Sequence, residues 1–285
     1  MKSITLDAPA KINLYLDVIS KRKDSYHNIA TIFCKIKLSD HITVSTRDKG
    51  ISVSCNHPDL SNFRKNLVYK ASLLMKKRFQ LDAGLDVTIK KNIPVAAGLG
   101  GGSSDAASVI IAINKLFNLN ATQNQIMGIG RSIGADVGFF ISGYNSAIGR
   151  GIGDRLSEIE VFSKFYILLL VPKITIYTKY IYRQLSLRLT KSTVDVNMLA
   201  RILMRRNLPD KLAYSLYNRL EDVVLPLYPI VKEGKQALLD FTDKALLSGS
   251  GPSIFGIFQT RKEAELAKAE LRRDNRWRLF LTQNT

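Results

Sequence analysis

The stretch PVAAGLGGGSSDAAS, Pro94 to Ser108, places four glycines in five positions, Gly98 to Gly102 with only Leu99 between them. Two serines and an aspartate follow, and an apolar run opens behind them. Glycine at this density costs conformational entropy on folding, so the chain needs something there that only bare backbone supplies. Upstream, Leu85, Val87 and Ile89 alternate as a strand ending at Asn92. Downstream, Ala106 to Phe117 is apolar nearly all round, which predicts a buried helix opening at Ser103-Ser104-Asp105. A glycine loop between strand and helix lets backbone N–H groups converge on an anion without a Cβ in the way. The helix N-terminus adds partial positive charge at the same place. Ser103 and Ser104 add hydroxyls suited to capping the helix, binding phosphate or helping to hold Mg²⁺. Two common glycine motifs do not fit. The Walker A pattern needs a lysine before Ser103, and the dinucleotide pattern counted from Gly98 needs glycine where Ser103 stands.

Working outward, 285 residues at 46% hydrophobic composition suit one large or two medium domains with a substantial core. No stretch reaches the ~18 uncharged apolar residues that span a bilayer. Lys2 is followed by no apolar segment, and Asp7, Lys11 and Asp17 interrupt the region, so a cytoplasmic protein without signal or transit peptide is expected. Cys34 and Cys55 form no C-x-x-C pair, and His27, His41 and His57 lack metal-like spacing, which argues for reduced structural thiols and against zinc. The formal charge of +18 attracts anions. Its basic residues fall in short clusters such as Lys21-Arg22-Lys23 and Arg205-Arg206, with no nucleic-acid-binding motif. A phosphorylated small molecule accounts for such a field as well as nucleic acid does.

Ile12, Leu14, Leu16 and Val18 alternate on one strand face, with Lys11, Asn13 and Tyr15 on the other. Ile42/Val44 and Ile51/Val53/Cys55 flank Asp48-Lys49-Gly50 and predict a hairpin. Leu67 to Phe79 has helical spacing. Thr122 with Gln125 predicts a capping box, and Gly134 a C-terminal stop just before Asp136. The second half predicts strands at Phe165 to Val171, Ala245 to Leu247, Ile254 to Phe258 and Trp277 to Leu281. Helices are predicted at Asp195 to Arg205, Asp210 to Leu220, Pro229 to Asp240 and Arg261 to Asp274, the last opened by a Thr260/Glu263 capping box. The pattern predicts an α+β protein in two lobes divided near residues 150 to 164.

PVAAGLGGGSSDAAS resembles the ATP-binding loop of the GHMP kinase superfamily. APAKINLYLDV, Ala8 to Val18, resembles its first motif, and LLSGSGPSIFGIF, Leu246 to Phe258, its third. Pro9-Ala10-Lys11-Ile12-Asn13, Asp24-Ser25-Tyr26-His27 and Gly134-Ala135-Asp136-Val137 together resemble the branch that phosphorylates the 2-hydroxyl of a cytidine-diphosphate-linked methylerythritol in non-mevalonate isoprenoid synthesis. That branch usually has glycine where this chain has Ser25, and proline where it has Gly138.

The resemblance implies a two-lobed GHMP kinase fold, with a ribosomal protein S5 domain 2-like lobe over 1–155 and a ferredoxin-like lobe over 156–285. It implies Asp136 as base and Lys11 as catalytic cation. ATP would lie on Pro94, Val95, Ala96, Ala97, Gly98, Leu99, Gly100, Gly101, Gly102, Ser103 and Ser104. Asn13, Tyr26, His27, Thr178 and Tyr182 would contact the substrate, and the Gly249-Ser250-Gly251 turn would help close the site. ATP is the implied co-substrate and Mg²⁺ the implied cofactor, with Ser104 as its candidate ligand. The implied partner is a small molecule with a cytidine diphosphate group, bound by a monomer or homodimer that engages neither nucleic acid nor membrane. Another small-alcohol kinase of the superfamily, of homoserine or mevalonate type, and a non-enzymatic anion or nucleic-acid binder are the alternatives.

Overall fold

A computed structural model describes residues 2–58, 66–185, 195–205 and 215–285. The chain divides into two compact units. The first comprises Met1–Ala10, Leu38–Val95 and Gly100–Tyr144; the second comprises Lys11–Lys37, Ala96–Leu99 and Asn145–Thr285. Two long strands, β1 (Ser3–Lys21) and β2 (His27–Arg47), each give one half to each unit.

In the first unit, β3 (Ile51–Cys55) and β4 (Gly84–Lys90) extend the sheet in the order β3-β4-β2-β1. β4 runs antiparallel to β2, from His41↔Lys90 to Arg47↔Gly84, and parallel to β3, from Ile51↔Leu85 to Cys55↔Ile89. The hairpin expected around Asp48-Lys49-Gly50 is therefore wrong: β4 lies between its two arms. The turn's carbonyls go to the start of β4, Asp48 O accepting from Gly84 N at 3.3 Å and Gly50 O from Leu85 N at 2.9 Å. Gly84 makes this possible, since a Cβ there would stand 2.6 Å from the Lys49 backbone.

Helices α1 (Leu67–Phe79), α2 (Gly101–Leu116), α3 (Gln123–Ile133) and α4 (Val137–Ile141) complete this unit. α2 is buried over most of its length, as its all-round apolar sequence requires. It opens at Gly101, two residues earlier than expected, with a left-handed Gly100 (φ 71°) as N-cap and no side-chain cap. Ser103 and Ser104 thus lie inside the first turns and do not cap the helix. The Thr122/Gln125 capping box of α3 is present. Gly134 ends that helix in extended backbone (φ −176°), not in the left-handed turn usual for a terminal glycine, so the chain runs straight on toward Asp136.

In the second unit, β5 (Ser146–Gly151) pairs with the first half of β2, β6 (Arg155–Glu158) pairs with β5, and the two-residue β8 (Tyr217–Asn218) pairs in parallel with β1. A separate antiparallel sheet contains β7 (Tyr166–Pro172), β9 (Ala245–Leu247), β10 (Ile254–Phe258) and β11 (Trp277–Gln283) in the order β11-β7-β10-β9. Numbered along the chain, that order is 4-1-3-2, the ferredoxin-like arrangement. Helices α8 (Pro229–Leu239) and α9 (Arg261–Leu271) bury Val231, Leu238, Ala264 and Ala267 in one cluster with Leu168, Leu170, Ile254 and Phe258 of this sheet. The Thr260/Glu263 box opens α9.

Short helices α5 (Thr178–Gln184), α6 (Val196–Leu203) and α7 (Glu221–Leu227) complete this unit. The helix expected at Asp210 to Leu220 lies partly outside the described residues. Its described end is the β8 bridge, and helix resumes only at Glu221.

The β1–β2 turn holds one of the departures from the resembling motifs. Ser25 has φ 68°, a left-handed conformation in which an L side chain costs about 1–2 kcal/mol. Glycine at this position relieves that strain but gains freedom when unfolded. Ser25→Gly is expected to raise stability by about 0.5 kcal/mol, read as a small rise in Tm; an unchanged or lower Tm would show that the turn carries no strain.

Candidate active site

β1 carries the first part of the site. Its polar face is buried like its apolar face: Lys11 is 4% exposed and Asn13 1%. Buried polar groups need partners. Lys11 Nζ donates to Asn13 Oδ1 at 2.7 Å, Asn13 Nδ2 to Thr31 Oγ1 at 2.8 Å, and Thr31 Oγ1 to the Tyr15 carbonyl at 2.6 Å. The relay fixes the lysine's direction through two side chains and a backbone carbonyl. Phe33 lies beneath the ammonium, 5.4 Å from ring centroid to Nζ. Its ring occupies a slot left by Gly149, where a Cβ would stand 2.7 Å from Phe33 Cε2.

The glycine loop follows an alternating path, with φ positive at Ala96 (55°), Gly98 (75°) and Gly100 (71°). Such alternation is the backbone form that turns successive N–H groups toward one concave side, as anion-binding nests do. Within the second unit, Leu99 O accepts from Lys11 N at 3.0 Å and Ala97 O from Ser253 N at 3.3 Å. Gly98 O accepts from Ser248 Oγ at 3.2 Å.

A Cβ on Gly98 would collide with the Ser248 carbonyl oxygen, in addition to the left-handed strain. Gly102 differs: its nearest neighbour would be Leu67 Cδ1 at 3.8 Å. Gly98→Ala is therefore expected to raise the KM for ATP at least ~10-fold, because the cradle must shift by about an ångström. Gly102→Ala is expected to stay near the parent value. Equal effects at the two positions would mean that the loop tolerates Cβ atoms generally.

In the first unit, Gly134 of the Gly-Ala-Asp-Val run lies against the start of α2, where a Cβ would come 4.0 Å from Ser103 Oγ. Asp136 occupies the N-cap position of α4, yet its side chain makes no cap hydrogen bond to that helix. Ser104 Oγ is fully buried and has no hydrogen-bond partner among the described residues, an unusual state for a hydroxyl. Gly138 sits buried in α4, with room for a Cβ only 3.3 Å from Met127 Cε. Lys11 belongs to the second unit and Asp136 to the first.

The remaining expected contacts lie in the second unit. Tyr26 is 58% exposed at the β1–β2 turn, whereas His27 is buried, its ring 5.1 Å from that of Tyr182. Burial, reinforced by the charge of Lys21, holds His27 below the ordinary imidazole value. At neutral pH it is a neutral ring with one donor and one acceptor. Thr178 shares a 2.7 Å hydrogen bond with Ser250.

Three groups escaped the sequence reading. Thr31 and Phe33 are brought to Lys11 by the pairing of β1 with β2. In the first unit, Lys91 Nζ bonds Asp40 and, at 2.8 Å, Asp105, while Asp40 Oδ1 accepts from the backbone of Asn92 at 2.6 Å and Ile93 at 2.8 Å. Lys91 precedes the glycine loop and Asp105 follows it, so one buried cluster ties both ends.

Two family descriptions match the chain: GHMP kinases N terminal domain over residues 66–144 and GHMP kinases C terminal over 197–276. The 4-diphosphocytidyl-2-C-methyl-D-erythritol kinase of Acetivibrio thermocellus is 42% identical over 99% of both chains. The protein of that name from Syntrophus aciditrophicus is 37% identical over 97% of this chain and 98% of its own. The chain belongs to the GHMP kinase family, with the 4-diphosphocytidyl-2-C-methyl-D-erythritol kinases. A crystal structure of 4-(cytidine 5'-diphospho)-2C-methyl-D-erythritol kinase superimposes with a TM-score of 0.84, at 30% identity over 99% of both chains. A homoserine kinase from Cytophaga hutchinsonii shares the fold at 18% identity, with a TM-score of 0.76 over 100% of this chain and 95% of its own. The expected α+β GHMP kinase fold holds, and as a member of this family the chain is an ATP-dependent kinase. Among the described residues no helix is long and apolar enough to cross a membrane.

Proposed function

We propose that this chain transfers the γ-phosphoryl group of ATP to the tertiary 2-hydroxyl of 4-diphosphocytidyl-2-C-methyl-D-erythritol, giving the 2-phosphate in the non-mevalonate route to isoprenoid precursors. The observation that carries this reading is 42% identity across the full length to a relative of that name.

The chemistry needs positioning and charge stabilisation more than covalent help. The substrate oxygen attacks the γ-phosphorus, the bond to the β-phosphate oxygen breaks, and ADP leaves. Asp136, at the N-terminus of α4, takes the hydroxyl proton. Lys11, aimed by the Asn13–Thr31 relay, offsets the charge developing on the transferring group. Pro94 to Ser104 cradle the phosphates through backbone N–H groups. The exposed Tyr26 ring is suited to stacking on cytosine and neutral His27 to bonding its edge, while Asn13, Thr178 and Tyr182 bear on the rest of the substrate.

The orphaned Ser104 hydroxyl fits a place in the shell of Mg²⁺, with phosphate oxygens and water as the other ligands. When bound, the ion neutralises phosphate charge. The proposal extends to lobes at 1–155 and 156–285, a cytoplasmic monomer or homodimer, and a charge of +18 that serves anionic small molecules and not nucleic acid.

ADP release by the purified protein with Mg-ATP tests the reading, with the cytidine-linked alcohol, mevalonate and homoserine in parallel. Turnover is expected only with the first. Turnover with mevalonate or homoserine would replace the substrate, and steeply salt-dependent binding to arbitrary DNA without ATP turnover would replace the reading altogether.

A further inference from the structure

β9 is an edge strand of the ferredoxin-like sheet, and edge strands leave outward N–H and C=O groups unpaired. Here two side chains take the place of a neighbouring strand. Asn218, 3% exposed, donates both amide protons at 2.8 Å, one to the Leu247 carbonyl and one to the Gly249 carbonyl. Its Oδ1 accepts from Leu220 N at 2.9 Å, so all three hydrogen bonds go to backbone. Glu221 Oε1 accepts from Leu247 N at 2.9 Å, and its Oε2 pairs with Lys235 at 2.6 Å.

What these bonds hold is the turn that follows β9. Ser248 Oγ donates to Gly98 O at 3.2 Å, and the Ser248 carbonyl fills the space a Gly98 side chain would need. Gly249 lies beside three groups: a Cβ there would stand 3.3 Å from Gly98 O, 3.5 Å from Asn13 Oδ1 and 3.7 Å from Lys11 Nζ. Ser250 bonds Thr178 at 2.7 Å. A shift of the turn therefore reaches the nucleotide loop, the lysine and the Thr178 contact together.

We propose that Asn218 and Glu221 are positioning residues for phosphoryl transfer, acting as a surrogate strand that fixes the Ser248–Gly251 turn against Gly98 and Lys11. This rests on the kinase reading above for the roles of Gly98 and Lys11. The side chains act through the turn, by bonds to its backbone and to that of β9. Misplacement by about an ångström from a residue remote from the chemistry can cost on the order of 100-fold.

The experiment compares Asn218→Asp, Glu221→Ala, Glu221→Gln and Lys235→Met in the full chain. ATP affinity by calorimetry, steady-state turnover and Tm are measured for each. Asn218→Asp keeps the size but points a carboxylate at two carbonyls. It is expected to lower kcat/KM for ATP about 10- to 100-fold and to weaken ATP binding at least ~10-fold. Glu221→Ala is expected to lose about 10-fold in kcat/KM. Glu221→Gln keeps the acceptor for Leu247 N and is expected to restore the parent value, although it loses the Lys235 pair as Glu221→Ala does. Lys235→Met is expected to lower Tm with parent kinetics.

Turnover that merely follows Tm across the four variants would overturn the proposal, as would parent-like ATP affinity in Asn218→Asp. The calorimetric arm separates the two readings. If the parent phosphorylates a different alcohol, the substrate assignment falls while ATP binding still reports on the clamp.

Discussion

Asp136→Asn is expected to fold, to bind ATP with the parent affinity, and to lose turnover by about 10²–10⁴-fold. The amide has nearly the same shape, and Asp136 makes no cap hydrogen bond to α4 that the change would break. What is lost is the acceptor for the proton of a crowded tertiary alcohol. The companion change, Lys11→Met, removes a cation aimed by Asn13 and is expected to cost on the order of 10²–10³ in kcat. Single-turnover rates with pre-bound nucleotide separate these losses from binding. Parent-like turnover in Asp136→Asn would sink the base assignment, and a KM effect without a kcat effect in Lys11→Met would recast the lysine as a binding group.

Lys91→Met carries the largest expected cost in stability. It leaves Asp40 and Asp105, both buried, facing each other without their cation, a loss of roughly 3–5 kcal/mol. Burial is the main influence on Asp105 and pushes its carboxyl up to about 7, against the pull of Lys91. The sign of the pH effect follows. Between the ordinary aspartate value of 3.8 and about 7 the folded state holds a proton that the unfolded chain has lost, so this group's contribution to stability falls as pH rises through that window. Asp105→Asn is expected to keep most of the stability and to flatten that slope. Lys91→Met is expected to be most damaging above pH 7 and less so near pH 5. Denaturant unfolding at several pH values reads both, and a Lys91→Met loss independent of pH would show that the cluster does not titrate as described.

Much of the fold was legible where the signal was local. β9 and β10 fall at the expected residues because short apolar runs bounded by turns have few other solutions. Both capping boxes form because Thr and Gln or Glu three apart satisfy each other whatever surrounds them. The glycine loop was legible for the same reason, since glycine marks backbone that must approach something closely. The misses are non-local. Nothing near Asp48 shows that β4, more than thirty residues on, enters between β2 and β3. Asp40 meets Lys91 across 51 positions, and Asn218 meets Leu247 across 29, with no periodicity to announce either. Single polar residues at such separations look like surface until the sheet brings them inside. The site was legible as motifs, and the groups that hold the motifs in place were not.

The Phe33 ring under Lys11 has a further consequence. An ammonium in water must shed or reorient its hydration shell each time a phosphate charge changes, and that reorganisation is part of an activation barrier. Lys11 is instead almost wholly out of water, with a carbonyl oxygen on one side and an aromatic face on another. Its neighbours are an amide dipole held by the Thr31 hydrogen bond and the negative face of an aromatic ring, both of which stay in place as charge moves. With Lys11 in the catalytic role proposed above, Gly149, by making room for that ring, lowers the amount of solvent rearrangement that each turnover requires.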